Sequence, residues 1–226
     1  MQIRTYILLV ALTIGFVTIS HSQPKNYEIK NGFNFGGGIT FLDIITDNFE
    51  TKQGNGWLIS AGIGAALPNK WYDISYNIQL LENNLEISGR MTDDVAGEEM
   101  IEYKMFAAQA GLVFSVNVIS SYLTVDLGPQ LQYNGELELT NDTQESYFIN
   151  GYDNLGATDI SDISRFNING MAGVTAGFGS FKIRGQYIYG LLNSLDKLND
   201  QNLDVGNAPK FEGHTSILTL AAFFVF

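Results

Sequence analysis

The chain has 226 residues, of which 45% are hydrophobic and 16% charged, and its formal net charge is -12. This composition is too apolar for a disordered protein, and the acidic balance excludes nucleic acid as an expected partner because nucleic-acid binding requires basic patches. The chain has no cysteine, which excludes disulfides, thiolate metal sites and a lipid-anchored cysteine. The length suits one domain.

The first 22 residues are predicted to be a cleavable signal peptide. Arg4 provides the positive charge, an apolar run follows over residues 6–19, and Ser20-His21-Ser22 places small residues where a signal peptidase reads them. We place cleavage after Ser22 and a single barrel domain at residues 23–226. An N-terminal membrane anchor is the alternative, but the run is shorter than the roughly 20 residues that a spanning helix needs.

Eight segments of alternating apolar and polar residues follow, and this period of two predicts β-strands. The predicted strands are residues 32–42, 56–67, 71–81, 101–116, 121–134, 165–178, 181–192 and 214–226. Compact turns at 68–70, 117–120 and 179–180 alternate with long links at 43–55, 82–100, 135–164 and 193–213. This alternation of short and long connections is typical of a membrane barrel.

Two architectures fit alternating strands, a soluble antiparallel sandwich and a transmembrane barrel. The predicted strands are about 11 to 14 residues long, whereas soluble strands centre on about 5 to 6. Their even number also favours the barrel. The predicted fold class is therefore all-β, an eight-stranded antiparallel up-and-down transmembrane β-barrel in the outer membrane of a Gram-negative bacterium. Its short turns would be periplasmic and its long loops extracellular.

Aromatic residues gather at both ends of the apolar face, where an outer-membrane barrel places girdles in the two headgroup regions. The expected girdle residues are Trp71, Tyr72, Phe114, Phe181 and Phe224 near the short turns, with Trp57, Tyr133 and Tyr189 near the long loops. The final Phe226 is expected to be the signal read by the outer-membrane assembly machinery. A monomer surrounded by outer-membrane lipid and lipopolysaccharide is expected.

Most of the 24 acidic residues fall in or beside the long links. The simplest interpretation is a solvated extracellular face. A sharper alternative is that Ca²⁺ or Mg²⁺ ions bridge these carboxylates to an anionic glycolipid surface, because hard oxygen ligands suit both cations. No run of residues matches a calcium-binding loop, and no cofactor is implied.

The lumen is predicted to hold four charged side chains that point inward by strand parity: Asp73, Asp126, Lys182 and Arg184. An eight-stranded barrel is just wide enough for side chains, and buried charges require partners. We therefore expect one Asp73/Asp126–Lys182/Arg184 network that closes the lumen. The alternative is a narrow polar path or small-ligand site, for which inward glycines such as Gly36 and Gly62 would leave room.

One pair of residues has the chemistry of a hydrolytic site. His214 and Ser216 share a face at the outer end of the last strand, and this pair resembles the His-x-Ser pair of outer-membrane lipid A deacylases. That resemblance implies a supporting acid further along the chain, and none follows Ser216. A catalytic pair also needs a third group to orient the base. An outer-leaflet lipid esterase is thus only a remote alternative, and no enzyme activity is predicted.

The opening residues Gly32-Phe33-Asn34-Phe35-Gly36-Gly37-Gly38-Ile39-Thr40 and the closing run at 220–226 resemble the PorT-like outer-membrane β-barrel proteins of Bacteroidetes. The resemblance implies the same barrel and location but assigns no functional residues. The leading hypothesis is a non-enzymatic barrel with a structural or surface-interaction role. A small-solute transport or ligand-binding barrel that uses Lys182 and Arg184 is the alternative.

Overall fold

The computed structural model describes residues 30–66, 70–91, 99–206 and 209–226. The predicted signal peptide lies outside the described residues, as do two of the three residues of the predicted turn at 68–70. No helix in the described ranges is long and apolar enough to cross a membrane.

Eight antiparallel strands close into a barrel, which confirms the predicted fold class. They are β1 (Lys30–Thr46), β2 (Thr51–Ala66), β3 (Tyr72–Arg90), β4 (Glu99–Ile119), β5 (Leu123–Leu139), β7 (Phe166–Phe178), β8 (Phe181–Gly190) and β9 (Gly213–Val225). The ring closes where β1 pairs with β9, with Asn34 opposite Val225. Closure leaves no free strand edge, so the backbone hydrogen bonds are made within the wall.

The half of the barrel next to the short turns, which we call the membrane zone, is apolar outside and polar inside. Outward side chains are exposed, as at Ile63 and Ile78, whereas inward side chains such as Gln79 and Gln186 are buried. Soluble monomers rarely expose contiguous apolar surface beyond a few hundred Å². An exposed apolar band that encircles a closed ring is therefore the surface that meets lipid.

Along β3 this pattern inverts near residue 81. Inward positions change from Asn77 and Gln79 to Leu81, Leu85 and Ile87, which are fully buried. Outward positions change from Tyr76, Ile78 and Leu80 to Glu82, Asn84 and Glu86. Beyond this level the strand has an apolar interior and a polar exterior, as a soluble protein does.

The strands extend further outward than the sequence predicted, and two predicted long links are wrong in extent. The connection between β1 and β2 is only residues 47–50, and that between β3 and β4 is residues 91–98. The ladder continues because inward residues of these extensions, such as Leu85 and Ile101, are buried against other parts of the chain. The carboxylates of Glu82, Glu86, Glu99 and Glu102 therefore lie on strands rather than on loops.

A folded cap covers the outer end of the barrel. It comprises the outer ends of β1–β5 (residues 42–46, 51–55, 81–90, 99–107 and 135–139) and the described parts of segments 140–165 and 191–212. Segment 140–165 contains a 3₁₀ turn (Asp142–Gln144) and β6 (Phe148–Ile149), which pairs with the outer end of β3. A second 3₁₀ turn (Asp196–Asp200) lies in segment 191–212.

The cap has its own apolar core. Tyr152 of one segment stacks on Phe211 of the other, with ring centroids 5.8 Å apart. Tyr103 of β4 donates a hydrogen bond of 2.8 Å to the carbonyl of Ala157. The core also contains the buried residues Leu85, Ile87, Ile101, Met105, Leu137, Ile149, Leu155, Ile160, Ile163, Leu195 and Leu198. The described parts of segments 140–165 and 191–212 are therefore packed structure rather than solvated connectors.

The inward glycines do not leave open room, so that expectation is wrong at two positions. A Cβ on Gly36 would lie 2.6 Å from the ring of Phe223, and one on Gly62 would lie within 3 Å of the amides of Asn77 and Asn34. These glycines are required because larger inward side chains of neighbouring strands already occupy the space.

Candidate functional site

Inside the membrane zone, one buried ion pair joins β5 to β8. Arg184 Nε lies 3.4 Å from a carboxylate oxygen of Asp126, which is fully buried. Thr124 and Thr175 both donate hydrogen bonds to that carboxylate, and Thr175 also accepts one of 2.8 Å from Arg184. The guanidinium lies 5.0 Å from the ring centre of Phe223. Because its charges are so fully partnered, this buried ion pair has a structural role and forms a brace between the strands it joins.

Two contacts carry this brace across the lumen. The amide of Asn77 on β3, oriented with its oxygen toward Arg184, accepts a hydrogen bond of 3.3 Å from Nη1. Gln79 of β3 donates to Gln186 of β8 at 3.5 Å. β3 and β8 are four strands apart in either direction round the ring, so these contacts connect opposite walls.

The structure does not join Asp73 or Lys182 to this pair, so the four charged side chains do not form one network. Asp73 accepts a hydrogen bond of 3.2 Å from Asn117, and Lys182 donates to the carbonyl of Ser121. Neither forms an ion pair with another described residue. Strand parity identified the face correctly but not the height, and both residues lie nearer the short turns, where the lumen widens.

That widening is a cavity of about 700 Å³ at the short-turn end of the barrel. Asp73 lines it on β3, and Lys182 and Arg184 line it on β8. Residues close to the turns and chain end also line it, among them Gly32, Ala65, Ser121 and Phe226. In the predicted orientation, this cavity would face the periplasm.

Above the cavity, a belt of buried polar side chains, most of them amides, fills the lumen. Gln132 accepts hydrogen bonds of 2.6 Å from Gln109 and Asn169, and it donates to Asn134. The other members of this belt are Thr40, Gln79, Asn83, Gln130, Asn167, Gln186, Thr215 and Thr219, all buried. The belt and the cap lie in series above the cavity, and this arrangement opposes a continuous water path.

His214 and Ser216 make their hydrogen bonds with other groups. His214 Nδ1 bonds the carbonyl of Gly190 at 2.9 Å, and its ring stacks on Tyr189. Ser216 donates to the hydroxyl of Tyr187 at 3.1 Å. The nearest carboxylate to the imidazole is Glu212, at 4.0 Å from Nε2. This geometry ties both side chains to β8 and gives Ser216 no base.

The predicted girdle residues lie at the two rims of the apolar band. At the short-turn rim, Trp71, Tyr72 and Phe114 form a cluster, and Phe181 packs edge-on against Phe224. At the outer rim, Trp57 donates to Glu82 at 3.3 Å, and Tyr133 is paired with Phe166. Their contact with headgroups stays a prediction, as does recognition of Phe226, whose ring centre lies 6.5 Å from that of Phe33.

Sequence reasoning missed Arg90, a buried cation that anchors the cap. Its guanidinium donates hydrogen bonds to the carbonyls of Ile149, Tyr152 and Asp153 at 2.9, 2.6 and 3.0 Å. It also lies 5.6 Å from the ring centre of Phe148. The signal available was a lone arginine among acids at the end of an alternating segment, but its partners are backbone atoms far along the chain.

A second group of contacts joins the two long segments. Asp162 accepts hydrogen bonds from Lys197 at 2.6 Å and from Arg165 at 3.1 Å, and Arg165 also pairs with Glu136. The hydrogen bond from Lys197, with the charges of Lys197 and Arg165, holds the pKa of the Asp162 carboxyl below its ordinary value, although partial burial opposes this.

The outer surface of the cap is strongly acidic. Exposed carboxylates far outnumber exposed lysines, which in the described cap are Lys52 and Lys210. The exposed acids are Asp47, Glu50, Glu99, Glu102, Glu136, Glu138, Asp142, Glu145, Asp153, Asp159, Asp196, Asp200, Asp204 and Glu212. Among described residues, no three acidic or histidine side chains form a group that could hold a metal ion. Divalent bridging to glycolipid stays a prediction.

No protein-family model matches the chain, and no curated protein matches it. Among solved structures, the chain resembles Neisserial surface protein A with 10% sequence identity and a TM-score of 0.46, over 85% of this chain and 96% of that one. It resembles Ail of Yersinia pestis, in complex with the heparin analogue sucrose octasulfate, with 15% identity and a TM-score of 0.43, over 87% of this chain and 99% of that one. It resembles OprG of Pseudomonas aeruginosa with 8% identity and a TM-score of 0.45, over 88% of this chain and 97% of that one. At these values, the assignment as an outer-membrane β-barrel rests on the closed ring and its apolar band. Membership of the PorT-like group stays a prediction.

Proposed function

We propose that this outer-membrane barrel is a non-enzymatic surface-interaction protein whose cap presents a fixed acidic face to a basic protein or peptide outside the cell. The observation that carries the proposal is the apolar core of the cap. A connector that only closed a hairpin would need no core, whereas a recognition surface benefits from side chains held in place.

The charge distribution supports a basic partner. Carboxylates of segment 140–165 such as Asp153 are exposed, while apolar residues of the same segment such as Leu155 and Ile160 are buried. A surface with one sign of charge attracts an oppositely charged partner over about a Debye length and suppresses contact with like-charged surfaces. The proposed interaction should therefore be fast and sensitive to salt.

The filled lumen supports an interaction role over a pore. Gln109 and Asn169 both donate hydrogen bonds to Gln132 in the belt, and Arg90 holds the cap above it. In planar bilayers, we expect the refolded protein to show no steady single-channel current. A steady, charge-selective current would contradict the closed lumen and would favour the transport hypothesis over an interaction role.

Binding is tested with decalysine and the refolded barrel in nanodiscs. We expect saturable binding that weakens by about tenfold between low and physiological salt. The variant Asp153→Asn/Asp196→Asn/Asp200→Asn removes three exposed carboxylates whose side chains make no described ion pair, and it should weaken binding by at least about threefold.

The matched control changes the opposite sign of charge. Lys52→Gln/Lys210→Gln removes the exposed lysines and should strengthen decalysine binding. Unchanged binding in both variants, or binding that is insensitive to salt, would show that the acidic face is only a solvated surface.

A further inference from the structure

We propose that the cavity at the short-turn end binds a small zwitterionic molecule from the periplasm, with its ammonium group at Asp73 and its anionic group at Lys182. The site lies at the opposite end of the barrel from the cap and is independent of the function proposed there. Its volume of about 700 Å³ falls within the range of small-molecule sites, roughly 300 to 1,000 Å³.

Two buried acceptors in the cavity wall have no partner. Asn34 lines the cavity and is only 9% exposed, yet its side-chain oxygen accepts no hydrogen bond from a described residue. The side-chain oxygen of Asn117 is likewise unpartnered, while its nitrogen donates to Asp73. Buried polar atoms are nearly always satisfied. Other unpartnered atoms lie in the filled part of the lumen, but these two belong to residues that line the cavity, where donor groups of a ligand would reach them.

The charges of the cavity lie on opposite walls. Asp73 is on β3 and Lys182 on β8, four strands away in either direction round the ring. Each has a neutral partner, Asn117 for the carboxylate and the Ser121 carbonyl for the ammonium group. Charges that served only to hold the wall would be paired directly, as Asp126 and Arg184 are one level deeper.

This arrangement selects a dipolar ligand rather than a simple ion. A lone anion at Lys182 would leave Asp73 and the unpartnered amide oxygens without donors, and a lone cation would leave Lys182 without an acid. A molecule with an ammonium group at one end and a carboxylate at the other satisfies both walls. Since the belt closes the cavity above, the ligand enters and leaves through the short-turn end.

The test uses the dipeptide alanyl-alanine and calorimetry on the mature barrel in nanodiscs. Three forms are compared: free termini, an acetylated N-terminus and an amidated C-terminus. We expect saturable binding of the free form and at least tenfold weaker binding of each blocked form, because each block removes one charged contact.

Two variants assign the ends of the ligand. Lys182→Met should abolish the preference for carboxylate over amide while keeping the preference for ammonium over acetyl, and Asp73→Asn should do the reverse. Lys52→Met in the cap is the matched control and should leave both preferences intact. Heat-modifiable migration on gels checks that every variant is folded.

Position is tested through the absence of native cysteine. A single Ser75→Cys change places a thiol in the cavity wall, and the free dipeptide should slow its modification by a small thiol reagent. Three results overturn the proposal: no saturable binding, equal binding of blocked and free dipeptide, or preferences that survive in both Lys182→Met and Asp73→Asn. None of these results bears on decalysine binding at the cap.

Discussion

Strands β1–β5 run through both the membrane zone and the cap, but the two regions place polar and apolar side chains on opposite faces of the wall. In the membrane zone, Gln79 points inward and is buried while Ile78 points outward and is 64% exposed. In the cap, Leu85 points inward and is fully buried while Asn84 is exposed. The strand period and direction are unchanged, so the medium outside the wall decides which chemistry each face carries.

The comparison also separates two kinds of interior. The membrane zone buries amides and one ion pair, and hydrogen bonds such as that from Gln109 to Gln132 link some of these side chains inside the lumen. The cap buries apolar side chains and one cation whose partners are backbone carbonyls. The first interior makes the wall rigid, and the second gives the cap its own stability.

The largest loss of stability is expected when a charged side chain is placed in the apolar core of the cap. Leu85→Asp places an unpaired carboxylate in the apolar core and should destabilise the cap by about 3–5 kcal/mol. Asn84→Asp adds the same group one residue away on the exposed face and should change little. Denaturant titration followed by tryptophan fluorescence measures both, and equal effects would contradict the inversion of polarity along β3.

The second-largest loss of stability is expected from replacing Arg90, which anchors the cap. Arg90→Met leaves three carbonyls of segment 140–165 without their donor and should cost about 3 kcal/mol. We expect rapid protease cleavage within this segment while the barrel strands stay resistant. Lys52→Met removes an exposed cation of similar length and should not alter the cleavage pattern; resistance in the Arg90 variant would show that the apolar core alone holds the cap.

In the membrane zone, the outward face rather than the inward face should reject a charge. Ile78→Arg puts a cation near the middle of the lipid-facing band and should destabilise the refolded barrel by about 2–4 kcal/mol. Asn84→Arg places the same side chain on the same face of β3 above the band and should be tolerated. Refolding into lipid vesicles at increasing urea gives both values, and equal tolerance would remove the lipid assignment.

The smallest expected effect concerns pH. Asp162 has a lowered pKa, so its contribution is complete above the ordinary value of 3.8 and is lost as the pH falls through the lower folded value. Because the group is partly exposed, the effect should be only a few tenths of a kcal/mol. Asp162→Asn should remove this part of the acid sensitivity, as measured by cap proteolysis between pH 5 and pH 2, and an unchanged profile would assign the loss to other carboxylates.

Alternation in the sequence was sufficient to predict the eight strands, because a period of two persists through every membrane crossing. The same alternation continues at Leu81, Leu85 and Ile87, but the intervening Glu82 and Glu86 resemble loop composition. The prediction therefore ended β3 at residue 81, and the structure ends it at Arg90. Polarity inverts there without a break in periodicity, and composition alone does not distinguish that from a loop.

For the candidate site, the sequence predicts which side chains point into the barrel but not their height along its axis. Parity placed Asp73, Asp126, Lys182 and Arg184 inside the barrel, but heights in a barrel depend on strand stagger, which the sequence does not specify. Asp126 and Arg184 consequently meet, while Asp73 and Lys182 lie across the cavity. Arg90 was missed because its partners are carbonyls, which carry no residue-specific signal.

The apolar core of the cap also determines the order of assembly. Arg90 binds carbonyls about sixty residues later in the chain, and Ile44 and Leu195 meet beside Gly213. Contacts between such distant segments form late, because the intervening loops must close first. We therefore expect segment 140–165 to cross the membrane before its core has formed. The carboxylates of the segment would then oppose aggregation of this unfolded stretch until the barrel below has closed.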